Sequence, residues 1–337
     1  MGQRILKHKK LIIFLVIYLV FLGWILHAFS GSPPGNTIEV YKSSSSTFLT
    51  NARAQEMKEC GVNTYRFTPG VFMDSQGNIH ELPFMKQITI WQIQTAHRNG
   101  LQVYFDLKNN YGPLWEAMLG QASWNIPETV WPTFFPQYNK KVLERADIAE
   151  RYGVELFNPM AEAEGMIGQN IYRERGSFAG YDKASEWGQE ILPKIRERYH
   201  GKVIWRGSIG PPILPPGTPD AEQRFWRDWE RIRNEAYINF TGYDYIGFTA
   251  WPDMMPPGAG PEDYRRFIRE VIDTTTKWAE RDGCQDVMCT ELDLGRWLYS
   301  RSIVFEEGEG RLKGYDTWLQ TGKYRAETRY WYKERLP

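Results

Sequence analysis

Two carboxylates in this chain have the placement that acid–base chemistry requires. Glu162 follows the β-rich run Val154 to Asn158, and Glu291 closes the run Asp286 to Thr290. Polar residues gather at the ends of the other β-rich runs. They are Arg66; Asp106 with Lys108 and Asn109; Asn158; Trp205 and Arg206; and Trp251 just past Phe248. A pair of carboxyl groups, one protonated and one ionised, can protonate a leaving oxygen and attack or activate water at a glycosidic carbon. Glu164, two residues after Glu162, is a second acid that could hold the proton-donor role. As bland alternatives, Glu162 and Glu164 could be surface acids on a loop or a first helical turn, favoured there by the helix dipole. Arg66 could simply neutralise a buried acid, and Asp106 with Lys108 could form a salt bridge.

Such residues need a scaffold that brings strand ends together, and the sequence repeats one rhythm. Amphipathic stretches at 47–59, 86–98, 137–152, 181–199, 220–237 and 261–281 read as helices, most ending at a Gly. Short β-rich runs follow at 62–67, 101–107, 154–158, 202–206, 243–248 and 286–290. Glycine just past a helix end is the expected left-handed cap. Helix–strand alternation implies parallel strands with crossover helices. With a first strand near Ile38 to Tyr41 and an eighth at Ser302 to Phe305, the expectation is an α/β fold of the (β/α)8 TIM-barrel type. A doubly wound sheet is the alternative, but no G-x-G-x-x-G loop is present. The segments after the strands (108–136, 207–219 and 249–261) are long and rich in aromatics, Pro and Gly, whereas the helix-to-strand links are short. That asymmetry fits a site built on the carboxyl ends of the strands. Trp124, Trp251 and Trp297 fall near these loops and could stack on sugar rings. Trp187, Trp226, Trp229 and Trp278 fall on expected helices and read as packing.

Residues 149–157 (AERYGVELF) followed by Glu162 resemble the fourth-strand region of clan-A glycoside hydrolases and are most similar to family 113, the endo-β-mannanase-like group. The stretch 287–295 (VMCTELDLG) resembles the seventh strand of that family, 243–251 (YDYIGFTAW) its sixth, and Val62 to Arg66 the clan's second strand. The resemblance covers roughly residues 47–295. It implies a TIM barrel in which Glu162 is the acid/base and Glu291 the nucleophile of a retaining hydrolysis, with Arg66 supporting the nucleophile. The same ancestry admits a non-catalytic glycan-binding or assembly barrel beside a membrane complex. Ala161 in place of an Asn, the Asn158-Pro159 pair and the short carboxyl end favour that alternative. A lyase or transglycosylase on the same scaffold is a third reading.

The 337 residues hold 41 Lys+Arg and 41 Asp+Glu, a net charge of zero that offers no footprint for nucleic acid. The zero has two parts. Arg4, Lys7, Lys9 and Lys10 precede an apolar run from Leu11 to Phe29, 19 residues long, close to the length that spans a bilayer. Without those four basic residues the remainder has 37 cations against 41 acids, a net −4. The expected organisation is a basic flank and transmembrane signal anchor at 1–29, a stalk at 30–36, and a barrel at 37–337. The amino end would be cytoplasmic and the barrel extracytoplasmic. Secretion after cleavage near Ala28-Phe29-Ser30 is the alternative. The expected partners are a carbohydrate and, through residues 11–29, the lipid bilayer; protein partners stay open. Neither the five scattered His nor Cys60, Cys284 and Cys289 have metal-site spacing, so neither a metal nor another cofactor is expected. Three Cys cannot staple a chain of this length, though Cys60 and Cys284 could pair in an exported domain.

Overall fold

The computed structural model describes residues 49–59, 64–110, 125–211, 218–250, 255–256, 259 and 261–292. The apolar run at 11–29, the expected first and eighth strands, Cys60, Trp124, Trp251 and Trp297 lie outside them. Among the described residues, no helix is long and apolar enough to cross a membrane.

In chain order the elements are α1 (Asn51–Glu59), β1 (Thr64–Phe67), β2 (Gly70–Met73), β3 (Ile79–His80), α2 (Met85–Arg98), β4 (Gln102–Asp106) and β5 (Lys108–Asn110). After a 3-10 turn come α3 (Trp131–Arg151), β6 (Leu156–Asn158), α4 (Ala163–Arg175), α5 (Ala179–Arg196) and β7 (Lys202–Gly207). The last are α6 (Ala221–Glu235), β8 (Tyr245–Ala250), α7 (Pro261–Asp282) and β9 (Asp286–Leu292).

The main sheet has six strands in the order β1-β4-β6-β7-β8-β9, and each neighbouring pair is parallel. The order follows the chain without reversal. A doubly wound sheet reverses at its switch point, so this progression is the wall of an α/β barrel. These six are the expected second to seventh strands. Every carboxyl end points the same way, which brings six strand-end loops to one rim.

Helices cover the outer face because each carries an apolar stripe. In α5, Tyr181, Ala184, Trp187, Ile191, Leu192 and Ile195 recur at helical spacing and are buried. Glycine caps close α2, α3 and α7, where Gly100, Gly153 and Gly283 have φ of 70°, 67° and 73°. Gly201 departs from that expectation, since α5 already ends at Arg196 and Gly201 is not left-handed. Its reason is space: a Cβ there would overlap the Tyr199 ring.

Three further features differ from the sequence reading. Helix α3 begins at Trp131, inside the stretch expected to be a loop. Pro132 sits in its first turn, where a missing N–H costs nothing. Helix α4 occupies the residues after Glu162, where the sequence offers a loop or a first helical turn as alternatives and no full helix. A small second sheet, β3-β2-β5, crosses the rim beside the ends of β1 and β4. The packing expectation for the helix tryptophans holds for Trp187, Trp229 and Trp278, all buried, while Trp226 is part-buried under the guanidinium of Arg266 at 4.0 Å.

Candidate active site

Side chains on adjacent parallel strands share a face when they are in register, and alternate residues face opposite sides. Arg66 pairs with Tyr104, Asp106 pairs with Asn158, and Arg206 follows two positions after Ile204 on β7. These polar residues meet inside the wall, near its carboxyl rim. Asp106 is the hub. Its Oδ2 accepts from Arg66 Nε at 2.7 Å and Arg206 Nη1 at 3.0 Å, and its Oδ1 accepts from Asn158 Nδ2 at 2.7 Å. Asn158 Oδ1 accepts the backbone N–H of Arg206 at 3.1 Å, tying β6 to β7. Asp106, Asn158 and Arg206 are each 0% exposed. The Arg66 guanidinium also lies 5.9 Å from the ring centre of Tyr104, a partner that register parity could have indicated in advance.

Glu162 joins this layer through the segment after β6, which the backbone pins to two strands. Ala161 N–H donates to Leu107 O at 2.8 Å, and Glu162 N–H donates to Arg206 O at 2.8 Å. Glu162 is held left-handed at φ 57°, ψ 43°, just ahead of α4. Its Oε1 accepts from Arg206 Nη2 at 3.2 Å, and its Oε2 lies 3.5 Å from Lys108 Nζ. Burial by itself would raise the Glu162 pKa. The charges of Lys108, Arg206 and Arg66 outweigh it and hold the carboxyl below its ordinary value. Asp106 is likewise held low: burial opposes ionisation, but Arg206 and Arg66 prevail. Three cations therefore surround two carboxylates.

Glu164 and Trp205 lie elsewhere. Trp205 alternates with Arg206 along β7, so it faces outward into the helical layer. There it meets Trp187, Phe240 and Tyr243 with ring centres 5.4–6.4 Å apart. Its Nε1 donates to Glu164 Oε2 at 3.3 Å. Glu164, in the first turn of α4, is 0% exposed. Burial, reinforced by the charge of Glu162, pushes its pKa up to about 8, although hydrogen bonds from Trp205 and the backbone oppose the rise. The proton-bearing acid is thus shut behind β7, and the acid at the rim is ionised.

Position 291 lies near the end of β9. Phe248 pairs with Cys289, but Thr249 pairs with Glu291, so the register slips by one residue. A one-residue slip reverses which face a position occupies. It gives position 291 the register parity of Thr249, and through β8 that of Arg206. Asn109, on β5, pairs in register with Val71 of the rim sheet. Of the expected site residues, Arg66, Asp106, Lys108, Asn158, Glu162 and Arg206 form one connected cluster. Glu164 and Trp205 form a separate one behind it.

No family model and no curated protein matches the sequence. The backbone is similar to the family 113 β-mannanase of Alicyclobacillus acidocaldarius, with 15% identity and a TM-score of 0.42 over 73% of this chain and 64% of that one. It is also similar to a family 5 glycoside hydrolase from Prevotella bryantii B14, with 14% identity and a TM-score of 0.45 over 68% of this chain and 63% of that one. A third match is the endo-β-1,4-mannanase of Thermotoga petrophila, with 12% identity and a TM-score of 0.46 over 70% of this chain and 57% of that one. The chain spans less than two thirds of the length of each of these three structures.

Proposed function

We propose that the chain is a retaining glycoside hydrolase acting on a β-linked poly- or oligosaccharide, held outside the cytoplasm by residues 11–29. The observation that carries this reading is the buried Glu162 carboxylate, wired to Arg66, Asp106, Asn158 and Arg206 at the carboxyl rim of a sequentially ordered parallel sheet. In this reading Glu291 attacks the anomeric carbon. Glu162 protonates the departing oxygen and then, ionised again, draws a proton from the water that releases the sugar.

The first step needs a protonated Glu162, and its cationic neighbours favour the ionised form. The hydrolysis therefore has an acidic optimum. Its basic limb follows the Glu162 pKa, so replacing Lys108 with Met moves that limb to higher pH. The direct test is release of reducing ends from a panel of β-glycans. Glu162→Gln and Glu291→Gln should each cut kcat by at least about a hundredfold. Full activity in either variant removes that residue from the mechanism.

One observation favours a second reading, a glycan-binding barrel without turnover: both Glu162 oxygens are engaged by cations. It predicts polysaccharide retardation in affinity electrophoresis with no reducing ends released by the unmodified chain. Anchoring is tested by membrane fractionation with and without residues 1–29.

A further inference from the structure

We propose that Tyr138, on helix α3, is a positioning residue for Glu162. Its buried hydroxyl donates to the Pro159 carbonyl oxygen at 3.1 Å and so holds the turn that carries the carboxylate. The proposal rests on the reading of Glu162 as the acid/base.

Residues 159–162 link β6 to α4 outside any helix or strand, and all four are buried. Buried backbone groups need partners. Ala161 N–H finds Leu107 O and Glu162 N–H finds Arg206 O, both at 2.8 Å. Those bonds tie the turn to the sheet. Pro159 has no N–H to offer, and its carbonyl is met from the helical side, by Tyr138. The turn is thus fixed from both sides. That matters because Glu162 is left-handed, a conformation that a long side chain keeps only where its surroundings over-determine it.

Tyr138 is itself held in place. Its ring stacks on Phe134 with centres 5.0 Å apart and meets Trp187 edge-on at 6.0 Å. Trp187 is fixed in turn, since its Nε1 donates to Asn139 Oδ1 at 2.7 Å. Burial and the charge of Asp106 push the Tyr138 pKa well above its ordinary value, so the hydroxyl stays a donor. Tyr199 offers the contrast. It is also buried, and its hydroxyl donates to Val154 O at 2.9 Å, just ahead of β6. The two tyrosines grip opposite ends of one strand, and Tyr138 grips the end that carries Glu162.

The test compares Tyr138→Phe with Tyr199→Phe in the full chain. Each variant loses one neutral hydroxyl and keeps its ring, so neither changes a charge. The main readout is the titration of the Glu162 carboxyl by carbon-13 NMR, with Glu162→Gln identifying its resonance. The charged groups around Glu162, namely Lys108, Arg206, Arg66 and Asp106, are retained in both variants. In Tyr138→Phe the loosened turn lets the carboxylate move off Lys108 and Arg206, so its proton affinity should rise about threefold or more. Tyr199→Phe should leave that titration unchanged. On a cleavable β-glycan, kcat should fall about tenfold in Tyr138→Phe with little change in KM. Absence of turnover by the unmodified chain removes the hydrolase reading, while the titration still decides the positioning. The proposal is overturned by an unchanged Glu162 titration in Tyr138→Phe, by an equal shift in Tyr199→Phe, or by a Tyr138→Phe chain that fails to fold. In each case the hydroxyl would serve the fold and not the site.

Discussion

Glu162 and Glu164 are separated by one residue, both are nearly or fully buried, and their electrostatics are opposite. Glu162 faces the barrel interior, where Lys108, Arg206 and Arg66 keep it ionised. Glu164 faces the sheet–helix layer, where its side-chain partner is a neutral indole and burial keeps it protonated to about pH 8. Similar burial gives opposite outcomes because the sign of a pKa shift depends on what compensates the lost water. The interior of this wall is a cation-rich polar layer, whereas the space behind it is an apolar layer with one proton trapped in it.

The hardest way to break the contrast is to remove the hub of the interior layer. Asp106→Asn sets a neutral group against part-buried Arg66 and buried Arg206, leaves Glu162 as the carboxylate that Arg206 still holds, and should destabilise the fold by about 3 kcal/mol, read by chemical denaturation. A smaller loss would mean that other anions balance the layer.

Next is the pH dependence of Glu164. Its folded pKa of about 8 lies above the ordinary value of 4.5. Between those values the folded chain holds a proton that the unfolded chain has lost. Stability therefore falls as pH rises through this window and levels off above it, with a loss on the order of 3 kcal/mol by pH 7. Glu164→Gln should flatten the slope in denaturation midpoints measured across that range. An unchanged slope would assign it to another group.

Gly207→Ala sharpens the spatial side of the comparison, since the new Cβ would overlap Glu164 Oε1. A loss of about 1–3 kcal/mol is expected, and Glu164→Gln should not rescue it if the overlap is purely steric. The smallest effect belongs to Trp205→Phe, which removes one hydrogen bond to Glu164 at a cost of about 1 kcal/mol. It should also extend the pH slope to higher pH, because the ionised form loses a donor.

Much of this arrangement could be read from the residue pattern. The six wall strands lie within two residues of the expected runs, because alternating helices and β-rich segments constrain them locally. Six expected site residues cluster because they share strand ends. Trp205 and Arg206 were proposed together, yet neighbours on a strand face opposite sides, and that rule alone separates them. Beyond its first turn, helix α4 was not legible because Gly165 and Gly168 weaken its propensity. Its formation depends on contact with α5 so close that a Cβ at Gly180 would overlap Gly168 Cα. The rim sheet was illegible for a related reason: its strands are two to four residues long and exist through distant pairings.

The left-handed backbone of Glu162 has a practical consequence for trapping a ligand. A non-glycine residue at φ 57° is strained by about 1–2 kcal/mol, and Asn tolerates that conformation better than Gln. Glu162→Asn should therefore give a carboxylate-free protein with a higher Tm than Glu162→Gln. For soaking crystals with intact oligosaccharides, the shorter amide is the better choice. Local backbone shape, and not likeness to the original side chain, decides which inert variant survives the experiment.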